Sequence, residues 1–394
     1  MIGIIFGLFV LTVIIWTYVK FKRLEASVKH IPGPSLIPLI GNGLMFIGKS
    51  PQQIFQASIK LQEIYGNFLK VMLGPSVQIV LSDPKDAEEL LSSQTLIEKA
   101  EEYDAMKDWL GTGLLISSGQ KWFTRRKVLT PAFHFKILEQ FIEVFNKQSE
   151  ILVQKLAQHE NQDVDVFPLV ALCALDVMCE TSMGVEVHAQ TNSESKYVMA
   201  VKNVSAIITT RQYNFLMRHN FLFRLSPLYW KQQRELKILH GFTDSVILAR
   251  RKELKQAMIE KTESDTDDVG GKKKMALLDV LLRSTINGLP LSNMDIREEV
   301  DTFMFEGHDT TTSAIAFSLY CLAKHSEVQR NAFTEIRNVI GDDTESQVTL
   351  NELSGLNYLE LVIKETLRLF PSVPFYGRKV RKDFLLSKHP LKVS

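Results

Sequence analysis

The first nineteen residues carry no charged side chain, and Ile4, Ile5, Phe6, Leu8, Phe9, Val10, Leu11, Val13, Ile14 and Ile15 run almost unbroken to Trp16 and Tyr18. A hydrocarbon core takes roughly 17 to 25 apolar residues, and aromatic side chains favour its interface. The pattern therefore predicts a single membrane-spanning helix over residues 1–19. A cleaved signal peptide would need a basic segment ahead of the apolar run, and none is present. Lys20, Lys22, Arg23 and Lys29 all follow the run, which by the positive-inside rule leaves the bulk of the chain in the cytoplasm. Residues 20–40 read as a basic stretch with a stiff Pro32-Gly33-Pro34 hinge, since proline lacks an amide proton and excludes helix from the residue before it. Residues 41–394 read as one domain.

Past the hinge the periodicity changes. Phe68 to Leu73 and Val77 to Leu81 are apolar strand candidates joined by Gly74-Pro75-Ser76, and Asp83-Pro84 supplies an N-cap followed by proline at the first helical position. Helical signals dominate thereafter. Ser326 with Gln329, and Thr349 with Glu352, match the capping-box spacing. From Glu298 to His325, apolar Val300, Phe303, Met304, Gly307, Thr311 and Ala314 fall at steps of three or four, predicting a long helix with one inward stripe. Ser205 to Trp230 is rich in Phe, Leu and Trp and reads either as the buried faces of two helices or as a lid over an apolar channel that touches the bilayer. Lys261 to Lys274, acidic then Gly-Gly and basic, reads as a solvated connector. The fold class is mainly α with a small β-sheet, and no internal repeat is evident.

Composition narrows the function classes. Lys+Arg 46 against Asp+Glu 45 leaves a formal charge of +1, so no global attraction to nucleic acid is encoded. Cys173, Cys179 and Cys321 lack the spacing of a zinc or redox site and read as small buried residues in a reducing compartment.

Candidate chemistry sits in three places. Glu306-Gly307-His308-Asp309-Thr310-Thr311 puts glycine and polar groups in mid-helix, where local rules are expected to fail at functional sites. Glycine leaves room for a ligand, and a carboxylate beside a hydroxyl relays protons; a packing glycine on a solvated polar face is the competing reading. Glu365 and Arg368 are spaced to pair on a helix that Pro371 closes, and Trp122 and Arg126 set an indole beside a cation. Each pair alone is commonplace, and a membrane-tethered adaptor in which all of them are packing residues remains the contrasting class.

Their order behind an apolar N-terminus and a Pro-Gly-Pro segment resembles the cytochrome P450 superfamily. The runs Trp122-Phe123-Thr124-Arg125-Arg126-Lys127-Val128-Leu129-Thr130-Pro131-Ala132-Phe133-His134 and Val300-Asp301-Thr302-Phe303-Met304-Phe305-Glu306-Gly307-His308-Asp309-Thr310-Thr311 look like its family 4, and the likeness runs from Met1 to about Asp383. The resemblance implies a heme-dependent monooxygenase anchored in the endoplasmic reticulum membrane and facing the cytoplasm. It would take an apolar small molecule such as a fatty acid, hormone or foreign compound, with electrons from NADPH through a partner reductase. It implies that Trp122, Arg126 and, less directly, Arg378 contact heme propionates. Asp309 and Thr310 would deliver protons to oxygen, Gly307 would leave room for it, and Glu306 would form an ester with a heme methyl. Glu365 and Arg368 would be a structural pair, and Leu114, Leu115 and Phe303 would line the substrate pocket.

The family's cysteine loop, whose thiolate ligates the iron, is absent from this sequence, so no axial ligand is assigned. Phe384 to Ser394 does not resemble the family, and its patterning predicts no completed helix or strand. The fold is expected to be incomplete at its C-terminus, which makes a catalytically inactive membrane-bound helical protein the alternative function.

Overall fold

A computed structural model describes residues 2–133, 135–263, 276–343, 346–386 and 390–391. The proposed connector Lys261 to Lys274 falls almost wholly outside them, as does His134. Helices dominate, and three two-stranded ladders complete the regular structure among the described residues. The chain divides into two compact units: Met1–Ala105, Ser205–Gln232 and Gly377–Ser394 form one, Met106–Val204 and Gln233–Tyr376 the other.

In the first unit the apolar N-terminus is helical over Ile2–Ser27, so the helix continues through the basic cluster instead of stopping at residue 19. Ile4, Ile5, Leu8, Leu11, Ile15 and Trp16 stay exposed, while Phe21 is buried in a cluster with Val28, Ile31 and Met72. Pro32-Gly33-Pro34 is fastened rather than free. Lys70 donates its backbone N–H to the Pro32 carbonyl at 2.8 Å, and a Cβ on Gly33 would lie 2.4 Å from the Lys70 carbonyl oxygen. Lys70 itself is buried with its ammonium on the Val28 carbonyl at 2.7 Å, and desolvation lowers its pKa.

The expected hairpin forms between Phe68–Leu73 and Ser76–Leu81, starting one residue earlier than the pattern suggested, with Gly74 at φ +58° in the turn. Asp83 caps the helix Pro84–Ser92 by accepting from the Lys85 N–H, as expected. Segment 205–230 departs from the buried-helix reading. The Asn214 side chain accepts the N–H groups of Leu216 and Met217, so the chain breaks into short helices Phe215–Arg218 and Asn220–Arg224. Phe223 is buried, whereas Leu216, Phe221, Leu222, Leu225 and Trp230 are exposed. Arg211 orders this region: its buried guanidinium lies 4.0 Å over the Phe223 ring and donates to the Ala105 carbonyl and to Asn220 Oδ1. The C-terminal stretch, for which no strand was predicted, pairs Phe384–Leu385 with Pro390–Leu391. Two residues per strand give little periodicity to read, and proline is tolerated at such an edge.

The second unit is built around the helix Asn293–Lys324, called the site helix below. Ser292 and Asp295 close its N-terminus with a reciprocal capping box. It packs along Val166–Met178, which in turn packs against Ile142–Ala157. Val166–Met183 is, among the described residues, long and apolar enough to cross a membrane, but 56% of it is buried inside the fold, as a core helix would be.

The inward stripe of the site helix runs every four residues through Ile296, Val300, Met304, His308, Thr312 and Ala316. Thr311, expected on it, is exposed. The expectation followed hydrophobicity, whereas the helix buries polar side chains whose hydroxyls bond back to its own carbonyls: Thr312 donates to the His308 carbonyl at 2.8 Å. Thr349 caps Leu350–Ser354 as expected. Ser326 is not an N-cap. The break after the site helix is one residue long, and His325 both ends that helix and precedes Ser326–Ile340, leaving no extended position for serine.

Candidate active site

Gly119–Leu129 carries two adjacent arginines that the helical twist of about 100° per residue sends to different faces. Arg125 is buried, pairs with Asp295, and holds its Nε 3.7 Å from Glu299. Arg126 is exposed and sits over the Trp122 ring at 5.2 Å. Among the described residues no carboxylate neutralises Arg126, so the helix presents a cation and an indole N–H side by side. Such a pair suits an anionic, planar ligand.

Just before this helix the chain lies on the site helix with almost no clearance. Glu298 accepts from the Thr112 N–H at 3.0 Å and from its hydroxyl at 3.1 Å, and pairs with Lys121 at 2.8 Å. Glu299 accepts the Leu114 N–H at 2.9 Å. Leu114 and Leu115 are half-buried beside these contacts. Burial works against ionisation of Glu298, but hydrogen bonds from Lys121 and Thr112 outweigh it and hold its pKa below the usual value. For Glu299 burial wins, raising the pKa to about 7. Phe303 is half-buried, 5.2 Å from the Phe133 ring.

One turn further, the polar stretch holds the predicted acid–alcohol pair. The Thr310 hydroxyl donates to the Glu306 carbonyl at 2.6 Å, and the Ser372 hydroxyl donates to the Thr310 carbonyl at 2.9 Å. Asp309 is 46% exposed, with its carboxylate 3.2 Å from His308 Nδ1. Glu306 is half-buried. The bare Cα of Gly307 faces Met178, whose Sδ would lie 2.4 Å from a Cβ placed there. Glu365 and Arg368 form the expected pair through two 2.7 Å hydrogen bonds, and both are exposed. Arg378 belongs to the other unit, where it bridges to Lys99.

The cysteines are packed in or half-covered. Cys173 and Cys179 are buried, and desolvation pushes the Cys173 thiol up to about 11 and Cys179 higher still. Cys321 is half-buried, more open than expected. A buried cluster outside the predicted site is Asp301, whose carboxyl burial raises to about 8 and which accepts from the Thr243 hydroxyl at 2.7 Å. The missed residues Asp295, Glu298 and Glu299 share one signal: an acidic turn opening the site helix, complementary to Lys121 and Arg125 spaced one turn apart.

The cytochrome P450 family model matches residues 31–392. Cytochrome P450 4d1 of Drosophila melanogaster is 46% identical over 373 residues, covering 93% of this chain and 73% of that protein. The chain belongs to cytochrome P450 family 4. Cytochrome P450 4d2 of the same fly is 44% identical over 387 residues, covering 97% of this chain and 77% of its own length, and Cytochrome P450 4c3 is 42% identical, covering 94% and 72%. Membership in this family implies heme. Arg126 and Trp122 fit the carboxylate edge of that group; Cys173 and Cys179, whose burial keeps their thiols protonated, do not fit its iron, and Cys321 lies on the site helix about three turns beyond Thr310.

Proposed function

We propose that this chain serves a heme-dependent monooxygenase that inserts one oxygen atom from O₂ into a C–H bond of an apolar substrate, such as a fatty acid, hormone or foreign compound, with electrons from NADPH delivered by a partner reductase. The observation that carries the proposal is the exposed Arg126 over Trp122, a cation that no carboxylate among the described residues neutralises. When bound, heme supplies the oxygen-activating chemistry. Trp122 and Arg126 would hold its propionates, Arg378 is a further candidate for them, and Glu306 is the candidate for an ester to a heme methyl. Asp309 takes protons from solvent and Thr310 passes them on at Oγ1, which its bond to the Glu306 carbonyl keeps oriented. Gly307, which also lets the helix lie close to Met178, is the candidate for leaving room for the oxygen. Leu114, Leu115 and Phe303 offer an apolar wall, while Glu365 and Arg368 stay structural.

The exposed apolar face of Ile2–Ser27 supports a membrane anchor over residues 1–19 on the cytoplasmic side of the endoplasmic reticulum. Exposed Leu216, Phe221, Leu225 and Trp230 support a lid that meets the bilayer. The decisive experiment incubates the full chain in lipid with heme, a cytochrome reductase, NADPH and a C12 fatty acid, and looks for a hydroxylated product by mass spectrometry. Product that falls in Thr310→Ala supports the reading. A second reading, a membrane-bound helical protein with weak or no heme binding, is favoured by the cysteine environments; absence of both heme uptake and product would establish it.

A further inference from the structure

The acidic turn that opens the site helix is more elaborate than helix capping requires. Asp295 already closes the capping box with Ser292. Glu298 and Glu299, one turn later, point their carboxylates at backbone N–H groups of a different segment, those of Thr112 and Leu114. The segment is shaped for this contact. Gly111 adopts φ +55°, and a Cβ on Gly113 would lie 2.3 Å from Thr302 Oγ1 and 2.5 Å from the Glu298 carbonyl oxygen. Only a chain without side chains at these two positions can lie this close, and closeness is what puts the amides within reach. Lys121 and Arg125, from the first two turns of the Trp122 helix, reach the same carboxylates.

We infer that Glu298 and Glu299 are positioning residues that fasten the Leu114–Leu115 wall to the site helix, and that through this wall they set how far an apolar chain reaches along that helix. The inference rests on the pocket-wall role given to Leu114 and Leu115 above. Its structural half stands independently. The two carboxylates divide the work: Glu298, with four polar contacts, fixes the Thr112 turn and Lys121, whereas Glu299 fixes one amide, that of Leu114. The side chain of Glu299 is fully buried, and its Oε1 has no hydrogen-bond partner. A pKa near 7 is consistent with a carboxyl that only a single amide and a guanidinium at 3.7 Å support. Loss of Glu299 therefore frees the wall without loosening Thr112.

The test compares the full chain with Glu299→Ala, Glu299→Gln and Glu298→Ala by amide hydrogen exchange in lipid. In Glu299→Ala the Leu114 amide should exchange roughly ten- to hundredfold faster, the span for a donor left without its acceptor. Exchange in the helix Ser326–Ile340 should not change. Glu299→Gln keeps an acceptor for that amide and should restore most of the protection, which a generally destabilised fold would not do. Unchanged exchange at Leu114 in Glu299→Ala, or glutamine behaving as alanine does, overturns the fastening. Where the wild-type chain hydroxylates the C12 acid, the positions of hydroxylation should spread in Glu299→Ala and return in Glu299→Gln. A fixed product pattern despite a loosened loop overturns the wall's role. If the wild type makes no product while the exchange results hold, the monooxygenase reading fails and the fastening stands.

Discussion

Replacing Gly113 with alanine forces the loop off the site helix. The new Cβ would start 2.5 Å from the Glu298 carbonyl oxygen and 2.3 Å from Thr302 Oγ1. Neither atom can yield easily, because Thr302 is completely buried and its hydroxyl is held on that same carbonyl at 2.7 Å. Ordinary contact begins near 3.4 Å, so the loop must retreat by roughly 1 Å, which is enough to break 2.9–3.0 Å hydrogen bonds. Overpacking costs about 1–3 kcal/mol and each lost charge-assisted bond about 1.5–3 kcal/mol. The sum, on the order of 4–6 kcal/mol after partial relaxation, is comparable with a whole domain's stability. Urea unfolding followed by tryptophan fluorescence should show Gly113→Ala unfolding at far lower denaturant. Gly241→Ala is the matched control, since nothing lies within 4 Å of a Cβ at this helical position. It should gain about 1 kcal/mol from helix propensity. Equal midpoints for Gly113→Ala and wild type would refute the close approach of loop and helix.

Burial raises the Glu299 pKa from 4.5 to about 7, so folding takes up a proton in that window and stability falls as pH rises through it. Glu299→Gln should therefore lose less stability than wild type between about pH 5 and pH 8, by up to about 3 kcal/mol; Glu298, Lys121 and Arg125, which act on the same carboxyl, are retained in both. Arg211→Met should cost about 2–4 kcal/mol by orphaning the Ala105 carbonyl and Asn220, and should expose residues 214–226 to limited proteolysis; Arg211→Lys should not rescue it, because an ammonium cannot fork and stack together. Arg368→Ala should leave the unfolding midpoint of this chain unmoved, since both members of its pair with Glu365 are largely exposed.

The elements that sequence anticipated best were those written by local rules. The hairpin at Gly74, the Asp83 and Thr349 caps and the long helix carrying Thr310 each depend on a few neighbouring residues and appear where their signals stand. Features set by how elements end and pack were not legible. Ser326 has the right neighbour at the right spacing, but His325 closes the preceding helix and takes its place. His308 and Thr312 interrupt the hydrophobic pattern yet lie on the buried stripe, because their polar atoms find partners nearby. The site split the same way. The pairings of Trp122 with Arg126 and Glu365 with Arg368 are one-turn contacts and formed as spaced. Glu298 and Glu299 meet partners more than 170 residues away, and nothing local distinguishes them from a solvated acidic turn.

The central claim is that Arg126 and Trp122 hold the carboxylate edge of heme. Titrating heme into the full chain and into Arg126→Gln, followed by Soret absorbance with and without reduction and carbon monoxide, tests it most directly. Loss of one charge-assisted hydrogen bond should weaken heme binding roughly ten- to hundredfold in Arg126→Gln, and the wild-type carbon monoxide complex should lack the red-shifted band of thiolate ligation if Cys173, Cys179 and Cys321 are all committed to packing. Binding indifferent to Arg126 would contradict the propionate assignment, and a thiolate band that disappears with one of these cysteines would contradict their placement.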